Sequence, residues 1–268
     1  MSQIQNLLIN KILKTTDKLY FNLDILTSEQ QNLLKQYLDK IESGYPVDYI
    51  LGEITFCGNN YKIKEGIFIP RWETEWWVNE ILKAKKNQAN IFDIEINQTI
   101  NSVDLVIEIC CGSGVIGLSL SPYFKKVMAC DLNPLAVNLS LENQKLLNVQ
   151  NYQVYHSNLF ENQDFNSQIS LPWILIANLP YVPMEDFKDR KHNNIIFEPV
   201  EAIFSGNDGL DLFRETLVSL EFNKPNLAFF ELDPRNIQTA SRIAKKHFKK
   251  TYIYPDLDNL KRLLVCKI

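Results

Sequence analysis

Val106-Ile107-Glu108-Ile109-Cys110-Cys111-Gly112-Ser113-Gly114 is the stretch whose reading decides the fold. The apolar run from Val103 to Ile109 has the length and β-branched character of a buried strand, and Val115 to Leu120 opens a helix. Between them lies a turn of small residues. Such a turn lets a ligand approach the backbone closely, and the helix behind it offers free N–H groups. Any tight strand-to-helix turn favours glycine, so the turn alone is a weak signal. Working outward, the alternation continues. Val127 to Cys130 is a second strand closed by Asp131, and Asn133 caps a helix to Leu147 with Pro134 at its first position. Tyr152 to Tyr155 and Trp173 to Ala177 are further strands, and a helix over about 209–221 leads to Leu227–Glu231. A helix over about 234–248 precedes two closing strands, Tyr252–Tyr254 and Leu263–Val265. These two lie too close in sequence for a crossover and are expected to pair antiparallel. The alternation predicts an α/β, Rossmann-like, doubly wound and mainly parallel sheet.

Upstream, residues 2–43 read as helical. Ile4, Leu7, Leu8, Ile12 and Leu19 fall near a 3.6-residue period, as do Leu33, Leu34, Tyr37, Leu38 and Ile41. Thr27 and Gln30 form a capping-box pattern, and Gly44 and Pro46 end the second helix. We expect a small N-terminal helical domain over 1–52 and a β-hairpin linker over 53–72. The hairpin strands are Ile54-Thr55-Phe56 and Tyr61-Lys62-Ile63, with the turn at Gly58-Asn59-Asn60. The main domain then covers 73–268, opening with a helix from about Glu73 to Lys86. Residues 87–102 show no period and read as a surface loop. The N-terminal helices serve either as padding or as a docking surface.

Composition narrows the function classes. The net charge of -4 argues against a protein that coats nucleic acid through bulk electrostatics. Cysteines at 57, 110, 111, 130 and 266 are odd in number and without CxxC spacing, so neither a disulfide framework nor a zinc site is expected. The three histidines, His156, His192 and His247, have no metal-ligand spacing. No run of about eighteen apolar residues is present, and a soluble, cytoplasmic, monomeric protein is expected. The Lys245-Lys246 and Lys249-Lys250 pairs read as a solvated helix end, and Trp76 and Trp77 as core or groove.

Two constellations carry chemistry. In the first, Glu108 precedes the small-residue turn, where it can face the amino acid part of a cofactor. Asp131 ends the next strand at the offset of a ribose-binding carboxylate. The second is Asn178-Leu179-Pro180-Tyr181, directly after an apolar strand, at the sheet end where ligands bind. An amide nitrogen or exocyclic amine is a poor nucleophile because its lone pair is delocalised. An Asn oxygen and a backbone carbonyl can accept its two N–H bonds and hold it in line with a donor methyl. Tyr181 offers a flat face to a planar amide or base. Alone, the tetrapeptide reads as a plain Asn-x-Pro turn.

On these residues the sequence resembles the release-factor glutamine methyltransferases, from about Pro46 to the C-terminus. Tyr49-Ile50-Leu51-Gly52-Glu53 with Phe56 and Gly58 is similar to that family's linker. Ile69-Pro70-Arg71-Trp72-Glu73-Thr74-Glu75 resembles its IPRPETE segment, and Glu108 to Gly114 its DLGTGSG loop. Asn178 to Tyr181 resembles NPPY, and Phe197-Glu198-Pro199 with Gly206 to Leu210 its EP…GGxDGL stretch. The IPRxETE segment is the most specific of these.

The resemblance implies a class I S-adenosylmethionine-dependent methyltransferase acting on N5 of the glutamine in the GGQ loop of a peptide chain release factor. It implies a cofactor site of Glu108, Cys110, Cys111, Gly112, Ser113, Gly114, Asp131, Leu132, Asn158, Leu159 and Asn178. It implies that Asn178, Leu179, Pro180 and Tyr181 hold the glutamine, with Arg71, Glu73, Thr74 and Glu75 on the substrate side. S-adenosyl-L-homocysteine would be the product, and no metal or direct nucleic-acid contact is expected.

The sequence departs from the family pattern at Trp72 and Leu179, which stand for prolines, and at Cys110 and Cys111, which stand for Gly and Thr. Glu108 stands for Asp, and Asn158 for an acid that accepts from the adenine amine. If position 110 needs positive φ, its cysteine is strained. Alternatives are an adenine N6-methyltransferase, since Asn-Leu-Pro-Tyr also occurs in ribosomal RNA adenine dimethylases; a methyltransferase for a ribosomal-protein glutamine; and a non-catalytic module that kept the fold.

Overall fold

The computed structural model describes residues 3–13, 26–170, 172–193 and 195–268. At the N-terminus, α1 (Gln3–Leu13) and α2 (Ser28–Glu42) pack on a short α3 (Val47–Leu51). Their shared core is Leu8, Ile9, Leu26, Leu34 and Ile50. The capping box at Thr27 and Gln30 is present in both directions. Leu19 and the rest of 14–25 lie outside the described residues. Next come the hairpin strands β1 (Glu53–Phe56) and β2 (Asn59–Lys62). The turn differs from expectation: it is Cys57-Gly58, both at positive φ (47° and 79°), with Asn59 already paired to Phe56. Two positive φ angles match the twist of a two-residue hairpin.

The helices α4 (Trp72–Lys85) and α5 (Ile94–Ser102) lead into the main sheet. The helix α5 corrects the expected loop. Only Ile96 and Ile100 of it are buried, four residues apart among Asn, Gln and Thr, too few apolar positions to mark a period. Alternation then follows: β3 (Leu105–Ile109), α6 (Val115–Leu120), β4 (Lys126–Asp131), α7 (Pro134–Leu146), β5 (Tyr152–His156), a single turn α8 (Gln163–Asn166) and β6 (Trp173–Asn178). After 3-10 turns between Met184 and Ala202 come α9 (Asp211–Ser219), β7 (Leu227–Glu231), α10 (Ile237–Ala244), β8 (Lys250–Pro255) and β9 (Lys261–Lys267).

The seven strands lie in the order β5-β4-β3-β6-β7-β9-β8. All pairs are parallel except those of β9, which runs antiparallel to both β7 and β8. Strands β3 and β7 are buried at every position because helices cover both faces. One face puts Val106, Val127, Ile176 and Phe229 under α4, α5 and α6. The other puts Ile107, Met128, Leu175 and Phe230 under α9 and α10. Each such side chain contributes about 1.5–3 kcal/mol on burial. The chain reverses its direction of winding between β3 and β6, and that switch point opens a crevice at the carboxyl ends of the strands. Among the described residues no helix is long and apolar enough to cross a membrane.

Candidate active site

A cavity of about 1110 Å³ occupies that crevice, from Asp131 and Asn158 at one end to Asn178 and Tyr181 at the other. At the first end the turn alternates left-handed residues: Cys110 (φ 54°), Gly112 (φ 55°) and Gly114 (φ 78°). A Cβ on Gly114 would lie 3.0 Å from Tyr152 Oη and closer still to Ser140 Oγ, so only glycine lets α6 approach α7 here. Asp131 Oδ2 accepts from Gly112 N at 2.8 Å and Oδ1 from Asn133 N at 2.8 Å. Burial raises its carboxyl above the usual range, and these N–H bonds oppose the rise. Each oxygen keeps a lone pair for a ligand hydroxyl.

Leu132, exposed beside Asp131, and Leu135 give the cavity apolar walls. Asn158 Nδ2 donates to Glu161 Oε1 at 3.1 Å, so its Oδ1 is left to accept. Leu159 (φ 45°) is also at the cavity wall. Ser113 lines the same space, and its Oγ is buried and without a partner. An orphaned hydroxyl, a strand-end carboxylate and a backbone turn free of side-chain bulk fit a cofactor that carries an amino acid at one end and a nucleoside at the other.

Glu108 is a correction. It does not line the cavity but lies 1 % exposed on the Val106 face of β3, where Oε2 accepts from Gly117 N at 2.9 Å. Side chains alternate along a strand, and position 108 points under α6. Its Oε1 has no partner, and burial pushes the carboxyl up to about 8.

Cys110 lines the cavity with its backbone in the left-handed region, the strain foreseen for this position. Burial also drives its thiol well above the ordinary range, so it is no nucleophile. Cys110→Gly is expected to stabilise the protein by about 1 kcal/mol, since a side chain in this region costs about 1–2 kcal/mol and glycine's extra chain entropy returns part of it. Urea unfolding reads the gain, and titration with S-adenosylmethionine tighter binding. A destabilised variant would show that the cysteine's packing outweighs its strain.

At the other end, Asn178 closes β6 and donates from Nδ2 to Thr74 Oγ1 at 3.1 Å. Thr74 donates in turn to Glu231 Oε2 at 2.7 Å, which also accepts from Trp77 Nε1 at 2.8 Å. Tyr181 Oη donates to Glu231 Oε1 at 3.1 Å. Glu231 is fully buried at the end of β7, and burial raises its carboxyl while the three donors oppose the rise. Sequence reading missed Glu231, although an acid closing an apolar strand is the signal that marked Asp131. Trp77 is core, but its indole N–H serves the site.

Of the Arg71–Glu75 segment, Arg71, Glu73 and Thr74 line the cavity. Glu73 lies 3.6 Å from Arg262, another cavity residue absent from the expectation. Glu75 does not line it; its Oε1 accepts from Cys57 N at 2.7 Å and ties the hairpin turn to α4. Arg71 pairs with Glu198, whose other oxygen accepts from Ile69 N at 2.9 Å, so the Phe-Glu-Pro stretch clamps the Ile-Pro-Arg segment. Trp72 starts α4 and points outward, 47 % exposed, at a first-turn position that suits proline or any outward side chain. Leu179 is buried and Pro180 lines the cavity. His156 contacts the Leu132 carbonyl at 2.8 Å and is not a cavity residue. Among the described residues no His, Cys, Asp and Glu cluster is placed to hold a metal.

Sheet order, switch-point cavity and the two ends of the site together define a Rossmann-like S-adenosylmethionine-dependent methyltransferase. The Methyltransferase small domain family matches residues 94–203. The release factor glutamine methyltransferase of Borreliella burgdorferi is 31% identical over 99% of this chain and 89% of its own length. That of Thermodesulfovibrio yellowstonii is 27% identical over 92% and 85%. This chain therefore belongs to the release factor glutamine methyltransferase family. Among solved structures, a T. thermophilus 16S rRNA N2 methyltransferase bound to AdoMet and guanosine superposes with a TM-score of 0.52 at 13% identity. That match covers 80% of this chain and 49% of the other, and it is a likeness of fold.

Proposed function

We propose that this chain transfers a methyl group from S-adenosylmethionine to N5 of the glutamine in the GGQ motif of a peptide chain release factor. The observation that carries the reading is Asn178, held by Thr74 in the wall of a cavity that Asp131 and Ser113 also line, in a chain 31% identical to a release factor glutamine methyltransferase. The Asn178 oxygen and the Leu179 carbonyl accept the two N–H bonds of the acceptor amide, and Tyr181 lies along its plane. S-adenosylmethionine supplies a methyl already activated by its sulfonium, so the protein's task is alignment rather than nucleophilic attack. Asp131 takes the ribose hydroxyls, Asn158 the adenine amine and Ser113 the amino acid end. Glu108 acts from behind, holding α6 against β3. Residues 1–52 form a docking domain for the release factor, 53–72 a hairpin linker and 73–268 the catalytic domain, working as a monomer in the cytoplasm.

The test is transfer of labelled methyl to an unmethylated release factor. Label is expected on the intact factor and absent when its glutamine is substituted. Asn178→Ala is expected to lower the rate on the order of 10²–10³-fold, the effect of removing one partner of a developing charge. Label appearing on adenine-containing RNA alone would overturn the reading.

A further inference from the structure

Asn178 can turn either its oxygen or its NH₂ toward an acceptor, and only the oxygen accepts from an amide N–H. Three facts decide the direction. Trp77 Nε1 can only donate, which makes Glu231 Oε2 the accepting oxygen, so the single hydroxyl hydrogen of Thr74 is committed to it at 2.7 Å. Thr74 Oγ1 can then only accept from its other neighbour, Asn178, which fixes Nδ2 toward Thr74 at 3.1 Å and leaves Oδ1 on the opposite side. The carboxylate itself cannot swing, because Trp77 Nε1 holds Oε2 at 2.8 Å and Tyr181 Oη holds Oε1 at 3.1 Å. Asn178 and Glu231 are register partners on β6 and β7, and Thr74 and Glu231 are both buried, so water does not compete for these bonds.

We propose that Glu231, acting through Thr74, sets the orientation of the Asn178 carboxamide and through its second oxygen the position of Tyr181, which makes it the positioning residue for methyl transfer. This rests on the reading of Asn178 as the side chain that holds the acceptor amide. Without the carboxylate, the Thr74 hydroxyl is free to donate to Asn178. The carboxamide then turns over and presents NH₂ to the NH₂ of the acceptor, a donor facing a donor. Glu231 touches neither reacting group, so its loss acts on alignment, where a displacement of about 1 Å costs about a hundredfold in rate.

The experiment compares Thr74→Val, which keeps the shape and removes the hydroxyl, with Thr74→Ser, which keeps the hydroxyl, and adds Glu231→Leu, which removes the acceptor. Two quantities are read in the full chain. One is the side-chain ¹⁵N-amide resonance of Asn178, assigned by its disappearance in Asn178→Ala. The other is kcat on a release factor, beside its KM and the affinity for S-adenosylmethionine. Thr74→Val and Glu231→Leu are expected to move the resonance and to lower kcat on the order of 10–100-fold, with cofactor affinity unchanged. Thr74→Ser is expected to restore most of the lost turnover and the native resonance. An unmoved resonance in both Thr74→Val and Glu231→Leu, or equal kcat in the Val and Ser variants, would overturn the proposal. Should the unsubstituted protein fail to label a release factor, the substrate reading falls, while the resonance still decides the relay. Should Glu231→Leu not fold, the Thr74 pair decides alone.

Discussion

Gly209→Ala is expected to reduce methyl transfer on the order of a hundredfold while leaving the cofactor end of the cavity intact. Gly209 has φ 76°, and a Cβ there would fall inside contact distance of the Tyr181 carbonyl oxygen and 2.8 Å from Asn236 Nδ2. Asn236 Nδ2 in turn donates to Tyr181 O at 3.2 Å and to Asp208 O at 3.1 Å, stitching the 206–210 loop to the catalytic tetrapeptide. The methyl group strikes backbone, not the tip of a flexible side chain, so Tyr181 and with it the Asn-Leu-Pro-Tyr turn must move. A displacement of about 1 Å at an aligned acceptor costs about a hundredfold, and left-handed strain adds about 1–2 kcal/mol of destabilisation. Steady-state kinetics and calorimetric titration separate the two ends: kcat falls and the affinity for S-adenosylmethionine stays. A variant with native kcat would mean that the loop yields instead of the turn.

Arg71→Met is expected to destabilise the fold by about 3 kcal/mol. Glu198 is almost wholly buried, and its partners are the Arg71 guanidinium and Ile69 N. Removing one member of a buried pair leaves the other charge uncompensated, at a cost of about 3–5 kcal/mol; Arg71 is a third exposed, which puts the effect at the low end. The guanidinium also stacks 4.8 Å over the Phe68 ring, a contact methionine keeps only in part. The double variant Arg71→Met, Glu198→Gln is expected to recover most of the loss, because it removes the stranded charge while its amide oxygen still accepts from Ile69 N. Urea unfolding of both variants checks this. A single-variant loss below about 1 kcal/mol would mean that water reaches Glu198 and screens it as at a surface.

The central strands were legible because a sheet covered on both faces writes itself as unbroken apolar runs, and Asp131 because an acid ending such a run has no place in a core. Glu231 carried the same mark and was passed over, since no glycine turn follows it to draw attention. What the sequence hides is which way a side chain points. Glu108 stands two residues before the glycine turn, yet strand alternation sends it behind the cavity; Glu75 lies one residue from Thr74, yet helix geometry turns it to the hairpin. The helix over residues 94–102 was hidden because Asn and Gln on its outer face outnumber its two buried isoleucines. The reach of Glu198 across 127 residues to Arg71 has no local trace at all.

The place of β9 bears on how the molecule assembles. Residues 261–267 are made after both strands they separate, so until they emerge β7 presents an open edge that is apolar but for Glu231, and β8 has no strand to join. Such an edge is a template for any neighbouring chain. The sheet closes when β9, paired with β8 in a local hairpin, docks on β7, and it is this longer-range pairing that sets the pace. Partly folded molecules therefore meet one another with their stickiest surface bare, and yield on refolding should fall as protein concentration rises.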